Sequence, residues 1–129
     1  GARVRPLAVA GAFHTSYMES AVEPLRTLAS TMTTSTPTLG VLSNKDGAVV
    51  TDGAEVLARI VNQIANPVRW DLCMETLVSL GVTGVIEVAP AGTLVGLIKR
   101  AAPGIEQFAF KSPQDIDAAR AFVAQHGGK

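Results

Sequence analysis

The chain has 129 residues, of which 47% are hydrophobic and 17% are charged. Eleven basic and eleven acidic residues give a formal net charge of zero, so we expect no electrostatic attraction to nucleic acid or to a membrane surface. No apolar stretch reaches the length of a membrane span, and the single cysteine excludes a disulfide framework and a cysteine-based metal site. These features predict a protein of the reducing cytoplasm with no resident metal.

The first part of the chain predicts a strand, a helix and two further short strands. Hydrophobic periodicity and turn signals place them at residues 3–10, from Ser16 to about Met32, and at residues 38–42 and 48–50. A segment rich in Thr and Ser over residues 31–37 ends the helix. The turn signal Lys45-Asp46-Gly47 separates the two short strands.

A second helix is predicted to begin after Asp52, which can cap it with Glu55 as reciprocal partner three residues later. The apolar residues of this helix share one face and are Leu57, Ile60, Val61 and Ile64. Asn66-Pro67 interrupts the pattern, because a proline at that point removes a helical hydrogen bond.

The second half of the chain continues the alternation of helix and strand. Its predicted elements are a helix from Asp71 to Gly81, a strand over 84–88, a helix over 94–101, a strand over 106–110 and a terminal helix opened by Ser112-Pro113. Such alternation is typical of an α/β fold with parallel strand pairing. The predicted strands are short, and they are few for a complete sheet. The pattern therefore predicts an incomplete α/β domain.

His14 is the first candidate for chemistry, because it follows a predicted strand at the junction with a helix, where open α/β folds place their ligands. Its imidazole can serve as a general base and then as a general acid. The alternative is a histidine that only packs beside the start of a helix. The other histidine, His126, is predicted to be exposed to solvent in the C-terminal tail.

The serines and the cysteine offer no nucleophile for His14. No serine stands in a Gly-x-Ser-x-Gly elbow: Ser43 and Ser79 lie in other contexts, and Ser112 is better explained as a helix cap. Cys73 is predicted to be a small core residue. There is also no glycine-rich phosphate loop and no cluster of acidic residues, so neither a nucleotide site nor a metal centre is predicted.

Three segments resemble motifs of malonyl-CoA:acyl-carrier-protein transacylases and related acyltransferase domains. Residues 9–15, Val-Ala-Gly-Ala-Phe-His-Thr, are similar to the family's histidine motif. Residues 63–70, Gln-Ile-Ala-Asn-Pro-Val-Arg-Trp, are similar to its Gln-Leu-x-x-Pro-Val-x-Trp segment. Residues 84–97 are similar to its Glu-Val-Gly-Pro-Gly-x-x-Leu-x-Gly-Leu segment. The three segments follow the family's order and spacing and extend over most of the chain.

The resemblance implies a large α/β-hydrolase-like domain into which a small ferredoxin-like subdomain is inserted. Residues 1–9 would be the last strand of the small subdomain, and residues 10–129 would be the C-terminal part of the large acyltransferase domain. The family's nucleophile elbow, its carboxylate-binding arginine and its N-terminal glutamine loop would lie upstream. Their absence would account for the few strands and for a chain that begins without Met.

The resemblance also implies ping-pong transfer of a malonyl group from coenzyme A to the phosphopantetheine thiol of acyl carrier protein, in type II fatty-acid synthesis. His14 would activate a serine of the missing N-terminal part of the enzyme, and the backbone carbonyl of Gln63 would orient its ring. Phe13 would bind the substrate and exclude a methyl branch. Malonyl-CoA would be a substrate, no cofactor is expected, and this chain alone would be inactive.

Two other functions remain open. The chain could be the same part of an acyltransferase domain from a polyketide synthase, although it ends after a terminal helix and not in a linker. It could also be a non-catalytic interaction fragment in which His14 is vestigial. A serine elbow in the upstream sequence would distinguish an enzyme from such a fragment.

Overall fold

The structure is a computed structural model that describes residue 4 and residues 10–127. The strand predicted over 3–10, and with it the subdomain strand implied for residues 1–9, lies outside the described residues except at residues 4 and 10. The chain divides into two compact units, Gly1–Cys73 and Met74–Lys129. Helices and strands alternate in both, so the prediction of an α/β fold is confirmed.

The first unit contains a 3-10 helix, Ser16–Ala21, followed by α1 Val22–Ala29, β1 Val41–Leu42, β2 Val49–Val50 and α2 Gly53–Gln63. Helix α3, Trp70–Ser79, contains the division between the units. The second unit contains β3 Gly84–Val88, α4 Leu94–Ala101, β4 Glu106–Phe110, a 3-10 turn Pro113–Asp115 and α5 Ile116–His126. The strands of the second unit have the predicted bounds, whereas those of the first are shorter than predicted.

The first helical segment begins at the predicted residue, Ser16, but its opening turns form a 3-10 helix. The α-helix that follows packs against α2 and ends at Ala29, which is buried. The predicted end at Met32 was therefore wrong. Met32 lies beyond the last residue of the helix and is 57% exposed.

Strands β1 and β2 form an antiparallel hairpin in which Val41 pairs with Val50 and Leu42 with Val49. The prediction of parallel pairing was wrong for these two strands. The physical reason is the short connection, since parallel neighbours need a crossover of a dozen or more residues. Val50 is 3% exposed and faces the core, whereas Val49 is 45% exposed.

Helix α2 begins as predicted, with the carboxylate of Asp52 accepting a hydrogen bond from the backbone N–H of Glu55 at 2.7 Å. The reciprocal half of the predicted capping box is replaced, because the Glu55 side chain accepts hydrogen bonds from Arg59 instead. The predicted apolar face is only partly buried: Val61 is 3% exposed and Ile60 is 55% exposed.

In the second unit, β3 and β4 pair in parallel, in a register that runs from Gly84 with Glu106 to Val88 with Phe110. Helix α4 connects them and packs on both strands, as does α5. The buried hydrophobic residues of this unit come from α4 and from the segment after it, and they are Ile98, Ala102 and Ile105. The parallel pairing predicted from the alternation of elements is thus confirmed here.

The carboxylate of Glu87 on β3 organises the turn into α4. It accepts hydrogen bonds from the backbone N–H groups of Gly92, Leu94 and Val95 at 2.9, 3.0 and 3.0 Å. These bonds lower the pKa of Glu87 below its ordinary value. A negative charge at this place also suits the positive end of the helix dipole.

Helix α5 follows the predicted cap, in which Ser112 and Asp115 form a capping box and Pro113 opens the 3-10 turn. The prediction that His126 is exposed was wrong. His126 is the last residue of α5, its side chain is 10% exposed, and its Nδ1 lies 3.0 Å from the hydroxyl oxygen of Thr83. Its ring packs on Phe122 with a centroid distance of 4.4 Å. The helix therefore persists to the point where this ring covers the start of β3.

Both units leave large hydrophobic side chains exposed. Leu39 and Tyr17 are 81% and 86% exposed in the first unit, and Val88 and Leu80 are 69% and 60% exposed in the second. None of the helices in the described part of the chain is long and apolar enough to cross a membrane.

Candidate active site

His14 lies in a tight turn just before the 3-10 helix. Its backbone has a φ of 60°, in the left-handed region that non-glycine residues rarely adopt. The hydroxyl of Thr15 donates to the carbonyl of Ala12 at 2.7 Å and accepts from the N–H of Tyr17 at 3.3 Å, so the turn is closed on both sides of His14. Backbone strain of this kind persists only where the surroundings fix it, and it is concentrated at functional sites.

Two contacts join His14 to the end of α2. Its backbone N–H donates to the carbonyl of Ile64 at 3.2 Å, and its ring Nδ1 lies 2.8 Å from the carbonyl oxygen of Gln63. A carbonyl oxygen can only accept, so Nδ1 carries a proton, and in the neutral ring Nε2 then presents a lone pair. No hydrogen bond to Nε2 is found within residues 10–127. The contact implied by the resemblance is present, while the catalytic roles of the two residues stay predictions.

Gln63 contacts His14 through its backbone carbonyl and the turn after α2 through its side chain. The residue is 8% exposed, and its Nε2 donates to the carbonyls of Asn66 and Pro67 at 2.8 and 2.9 Å. These carbonyls lie past the end of α2, where helical partners are lacking. The side chain of Gln63 therefore fixes the turn after α2, next to the carbonyl that contacts His14.

A cavity of about 300 Å³ in the first unit is lined by His14. Its other walls come from β1, β2, the loop between them and α2, and they include Leu42, Asn44, Ile60 and Gln63. Apolar walls with a few polar groups are typical of small-molecule sites. A second cavity of about 480 Å³ also includes Gln63 but not His14, so we regard the smaller cavity as the candidate site.

Arg59 joins α2 to the loop between β1 and β2. Its guanidinium donates to both carboxylate oxygens of Asp46 at 2.7 and 2.8 Å, to the Ser43 hydroxyl at 3.1 Å and to the Glu55 carboxylate at 2.7 and 2.9 Å. These charge-assisted bonds lower the pKa of Asp46 and raise the pKa of Arg59. Arg59 was not among the residues predicted for the site, although the spacing of Glu55 and Arg59 on one helix face was a usable signal.

Phe13, the residue expected to bind the substrate, is 56% exposed. Its ring does not line the cavity that contains His14, and an atom added at the Cβ position of Gly11 would lie 3.7 Å from it. The structure thus places Phe13 beside His14 in the chain with its ring largely open. Its role in substrate binding stays a prediction.

The other candidates have structural surroundings. Ser43 is 7% exposed, and its hydroxyl accepts from Arg59 and from the N–H of Lys45, which leaves it poorly placed as a nucleophile. Cys73 is 1% exposed, and burial raises the pKa of its thiol, so its prediction as a core residue is confirmed. Ser112 is a cap, as predicted. No group of three or more potential metal ligands is present in the described part of the chain.

Known proteins with similar sequences match nearly the whole chain. It is 48% identical over 120 residues to the malonyl CoA-acyl carrier protein transacylase of Mycolicibacterium smegmatis, and 47% identical over 116 residues to that of Mycobacterium tuberculosis strain H37Rv. Each alignment covers 90% of this chain but only 41% and 38% of the relative. The chain therefore spans about two fifths of the length of these curated relatives. It matches no protein-family profile.

Solved structures with this fold belong to the same class. The crystal structure of MCAT from Mycobacterium tuberculosis has a TM-score of 0.83 at 46% identity, with 90% of this chain and 38% of that chain covered. The malonyl-CoA:ACP transacylase of Synechocystis sp. PCC 6803 has a TM-score of 0.83 at 30% identity, with coverages of 90% and 40%. A type II PKS acyl-carrier protein in complex with its malonyl-transacylase gives 0.80 at 27%, with coverages of 88% and 37%.

Proposed function

We propose that this chain, which is homologous to the C-terminal part of the malonyl CoA-acyl carrier protein transacylases, supplies the general base for malonyl transfer from coenzyme A to acyl carrier protein. The base is His14. The nucleophile is a serine of an upstream part of the enzyme, which this chain does not contain. The proposal includes type II fatty-acid synthesis in the cytoplasm as the setting, and no resident cofactor.

One observation supports the proposal more than any other: the Nδ1 of His14 lies 2.8 Å from the carbonyl oxygen of Gln63. This contact selects the tautomer whose Nε2 accepts a proton, which is the form that a general base requires. The left-handed backbone at His14 and its second bond, to the carbonyl of Ile64, limit the positions that the ring can take. A residue that only packed beside a helix would need none of these constraints.

The reaction proceeds in two half-reactions. The serine hydroxyl attacks the thioester carbonyl carbon while its proton passes to Nε2 of His14, and collapse of the tetrahedral intermediate breaks the carbon–sulfur bond. The departing coenzyme A thiolate takes the proton from the imidazolium. The carrier protein's phosphopantetheine thiol then attacks the malonyl-serine ester, gives its proton to Nε2, and the serine oxygen leaves with that proton. His14 returns to its starting state after each half-reaction.

Phe13 is proposed to contact the acyl group. It directly precedes His14, and its ring is 56% exposed in this chain, so it is available to a pocket that the upstream part completes. A phenyl ring beside the acyl group leaves no room for a methyl branch. Phe13 therefore favours malonyl over methylmalonyl groups.

The upstream part is also proposed to cover the exposed hydrophobic side chains of the first unit. Val41, Val49 and Ile60 are 37%, 45% and 55% exposed, and Val41 and Ile60 line the cavity that contains His14. Burial of such side chains by another segment stabilises the folded protein. In the same proposal, residues 10–129 belong to an α/β-hydrolase-like large domain, and residues 1–9 form the last strand of a ferredoxin-like subdomain.

A second candidate function differs only in the pathway. One similar structure pairs a type II PKS acyl-carrier protein with its malonyl-transacylase, at 27% identity to this chain. A polyketide carrier protein is therefore the alternative acceptor. The 48% identity to the mycobacterial relative favours the fatty-acid carrier, and rates of transfer to the two carriers would decide between them.

The test uses a hybrid enzyme in which this chain replaces the matching 120 residues of the Mycolicibacterium smegmatis relative. The hybrid should transfer malonyl groups, whereas the chain alone should not. His14→Ala in the hybrid should slow formation of the malonyl-enzyme by roughly 10²–10⁴-fold, as expected for loss of a general base. Single-turnover labelling with malonyl-CoA measures this step.

The matched control is His126→Gln, which changes the only other histidine and should leave acylation unchanged. Two results would contradict the proposal: a folded hybrid that acylates at the same rate with and without His14, and malonyl transfer by the isolated chain.

A further inference from the structure

We propose that Arg59 is a positioning residue for His14. It acts by holding the loop Ser43–Gly47 and the last turns of α2 in a fixed relation, so that the Gln63 carbonyl stays where the imidazole needs it. The inference deepens the proposed function, on which it rests, because it concerns the orientation of the proposed base.

Arg59 links two elements of the first unit and does not form only a surface ion pair. Its side chain is 19% exposed, and its donors reach Asp46 and Ser43 in the loop as well as Glu55 on its own helix. A single guanidinium nitrogen, Nη1, donates to both carboxylate oxygens of Asp46, and the opposite charges strengthen this contact. By comparison, Arg26 pairs with Glu23 within a single segment, and both side chains are more than half exposed.

The loop Ser43–Gly47 is itself held in place by contacts with α3 and the residue before it. The carbonyl of Asn44 accepts from the N–H of Arg69 at 2.7 Å, and the carbonyl of Ser43 accepts from the Cys73 thiol at 3.4 Å. Gly47 has a φ of 72°, and a Cβ there would lie 2.7 Å from the backbone of Leu72, so only glycine fits this close approach. The loop therefore gives Arg59 a rigid anchor at the start of α3.

Arg59 is connected to His14 through Gln63. Arg59 precedes Gln63 by one turn of α2, so the two peptide groups are linked by the helical hydrogen-bond pattern. Arg59, Gln63, Ser43 and His14 all line the same cavity. A shift of the helix end would move the Gln63 carbonyl, and with it the ring that depends on it. Catalysis is sensitive to such shifts, because a misplacement of about 1 Å can cost roughly 10²-fold in rate.

The competing explanation is that Arg59 only stabilises the hairpin. The two explanations differ in what happens at the His14 ring. If Arg59 only stabilises the hairpin, its removal lowers the free energy of unfolding but leaves the ring tautomer of the folded chain unchanged. If Arg59 positions His14, its removal also frees the His14 ring from its contact with the Gln63 carbonyl.

The test is made on the full ¹⁵N-labelled chain, by recording the ring nitrogen signals of His14 at a pH where the ring is neutral. In Arg59→Met, the single tautomer with the proton on Nδ1 should give way to a mixture. Exchange of the His14 backbone amide with solvent should quicken by roughly tenfold or more, because the charge-assisted bonds of Arg59 no longer hold the end of α2 to which this amide donates. His126 serves as an internal control, and Arg26→Met is the matched control variant, because it removes an exposed arginine of the same unit.

In the hybrid enzyme, Arg59→Met should lower kcat by roughly 10–10²-fold with little change in KM, and Arg59→Lys should recover part of the loss. A folded Arg59→Met chain whose His14 keeps one tautomer and slow amide exchange would overturn the inference. If Arg59→Met does not fold, Asp46→Asn and Ser43→Ala each remove part of the link, and an unchanged His14 ring in both would overturn it equally. If the His14 ring of Arg59→Met shows mixed tautomers but the hybrid without this substitution transfers no malonyl groups, the inference is upheld and the proposed function is contradicted.

Discussion

The ring nitrogen Nδ1 of His14 meets the backbone oxygen of Gln63 at 2.8 Å, although the two residues are 49 positions apart. Because the orienting atom belongs to the main chain, a substitution at position 63 does not remove it. What a substitution removes is the side-chain amide, whose Nε2 donates to two carbonyls of the turn after α2. The two functions of Gln63 can therefore be separated by mutation.

Gln63→Met should destabilise the chain by about 1–3 kcal/mol, because the turn after α2 loses two hydrogen bonds from the Gln63 amide. The His14 contact to the main-chain oxygen should persist in the folded variant, as the tautomer of the ring would report. Urea unfolding measures the stability. Gln114→Met is the control, since Gln114 is exposed in the 3-10 turn before α5. Equal effects of the two substitutions would contradict the role given to the Gln63 amide.

Phe13→Ser in the hybrid enzyme should raise kcat/KM for methylmalonyl-CoA relative to that for malonyl-CoA. The physical reason is that a pocket fitted to one methyl group discriminates by about 1–3 kcal/mol, and the serine gives the branch room. Tyr17→Ser is the matched control, because it removes a neighbouring aromatic ring that is 86% exposed. An unchanged ratio of the two kcat/KM values in a folded Phe13→Ser variant would rule out contact with the acyl group.

The second unit could be predicted well because its elements are specified locally. Ser112-Pro113 opens the last helical segment, the apolar run 84–88 forms a strand, and Gly81 adopts a φ of 69° just past α3. The failure at His126 has the opposite cause. A tail ending in Gly-Gly-Lys indicates fraying, whereas the contact of the His126 ring with Thr83 joins residues 43 positions apart and leaves no trace in the local pattern.

The candidate site could be predicted only in part. His14 stands out because of its place at a strand-to-helix junction, but its left-handed backbone and its contact with Gln63 depend on distant parts of the chain. Only the resemblance to a known family brought these two residues together. Arg59 was missed because its partner Asp46 lies on another element, and a charged residue on a helix is usually a solvated one.

Two glycines of the second unit should respond in opposite ways to alanine. A Cβ at Gly84 would lie 2.5 Å from Cγ of His126, so Gly84→Ala should destabilise the chain by about 1–3 kcal/mol, as overpacking does. Gly96 lies within α4 with nothing within 4 Å of its Cβ position, so Gly96→Ala should stabilise it by about 0.5–1 kcal/mol through helix propensity. Thermal or urea unfolding measures both. A neutral Gly84→Ala would contradict the position of the His126 ring.

Glu87→Gln should destabilise the chain at neutral pH and have a smaller effect in acid. The backbone N–H groups of Val95, Leu94 and Gly92 hold the pKa of Glu87 below its ordinary 4.5. Its ionised form therefore stabilises the folded state above that pH, and this contribution is lost as the pH falls through the lowered value. The urea midpoints of wild type and variant should differ clearly at about pH 7 and converge as the pH falls through the lowered pKa. Glu75→Gln, an exposed position on α3, should show no such trend. A difference for Glu87→Gln that is equal at both pH values would contradict this role for its charge.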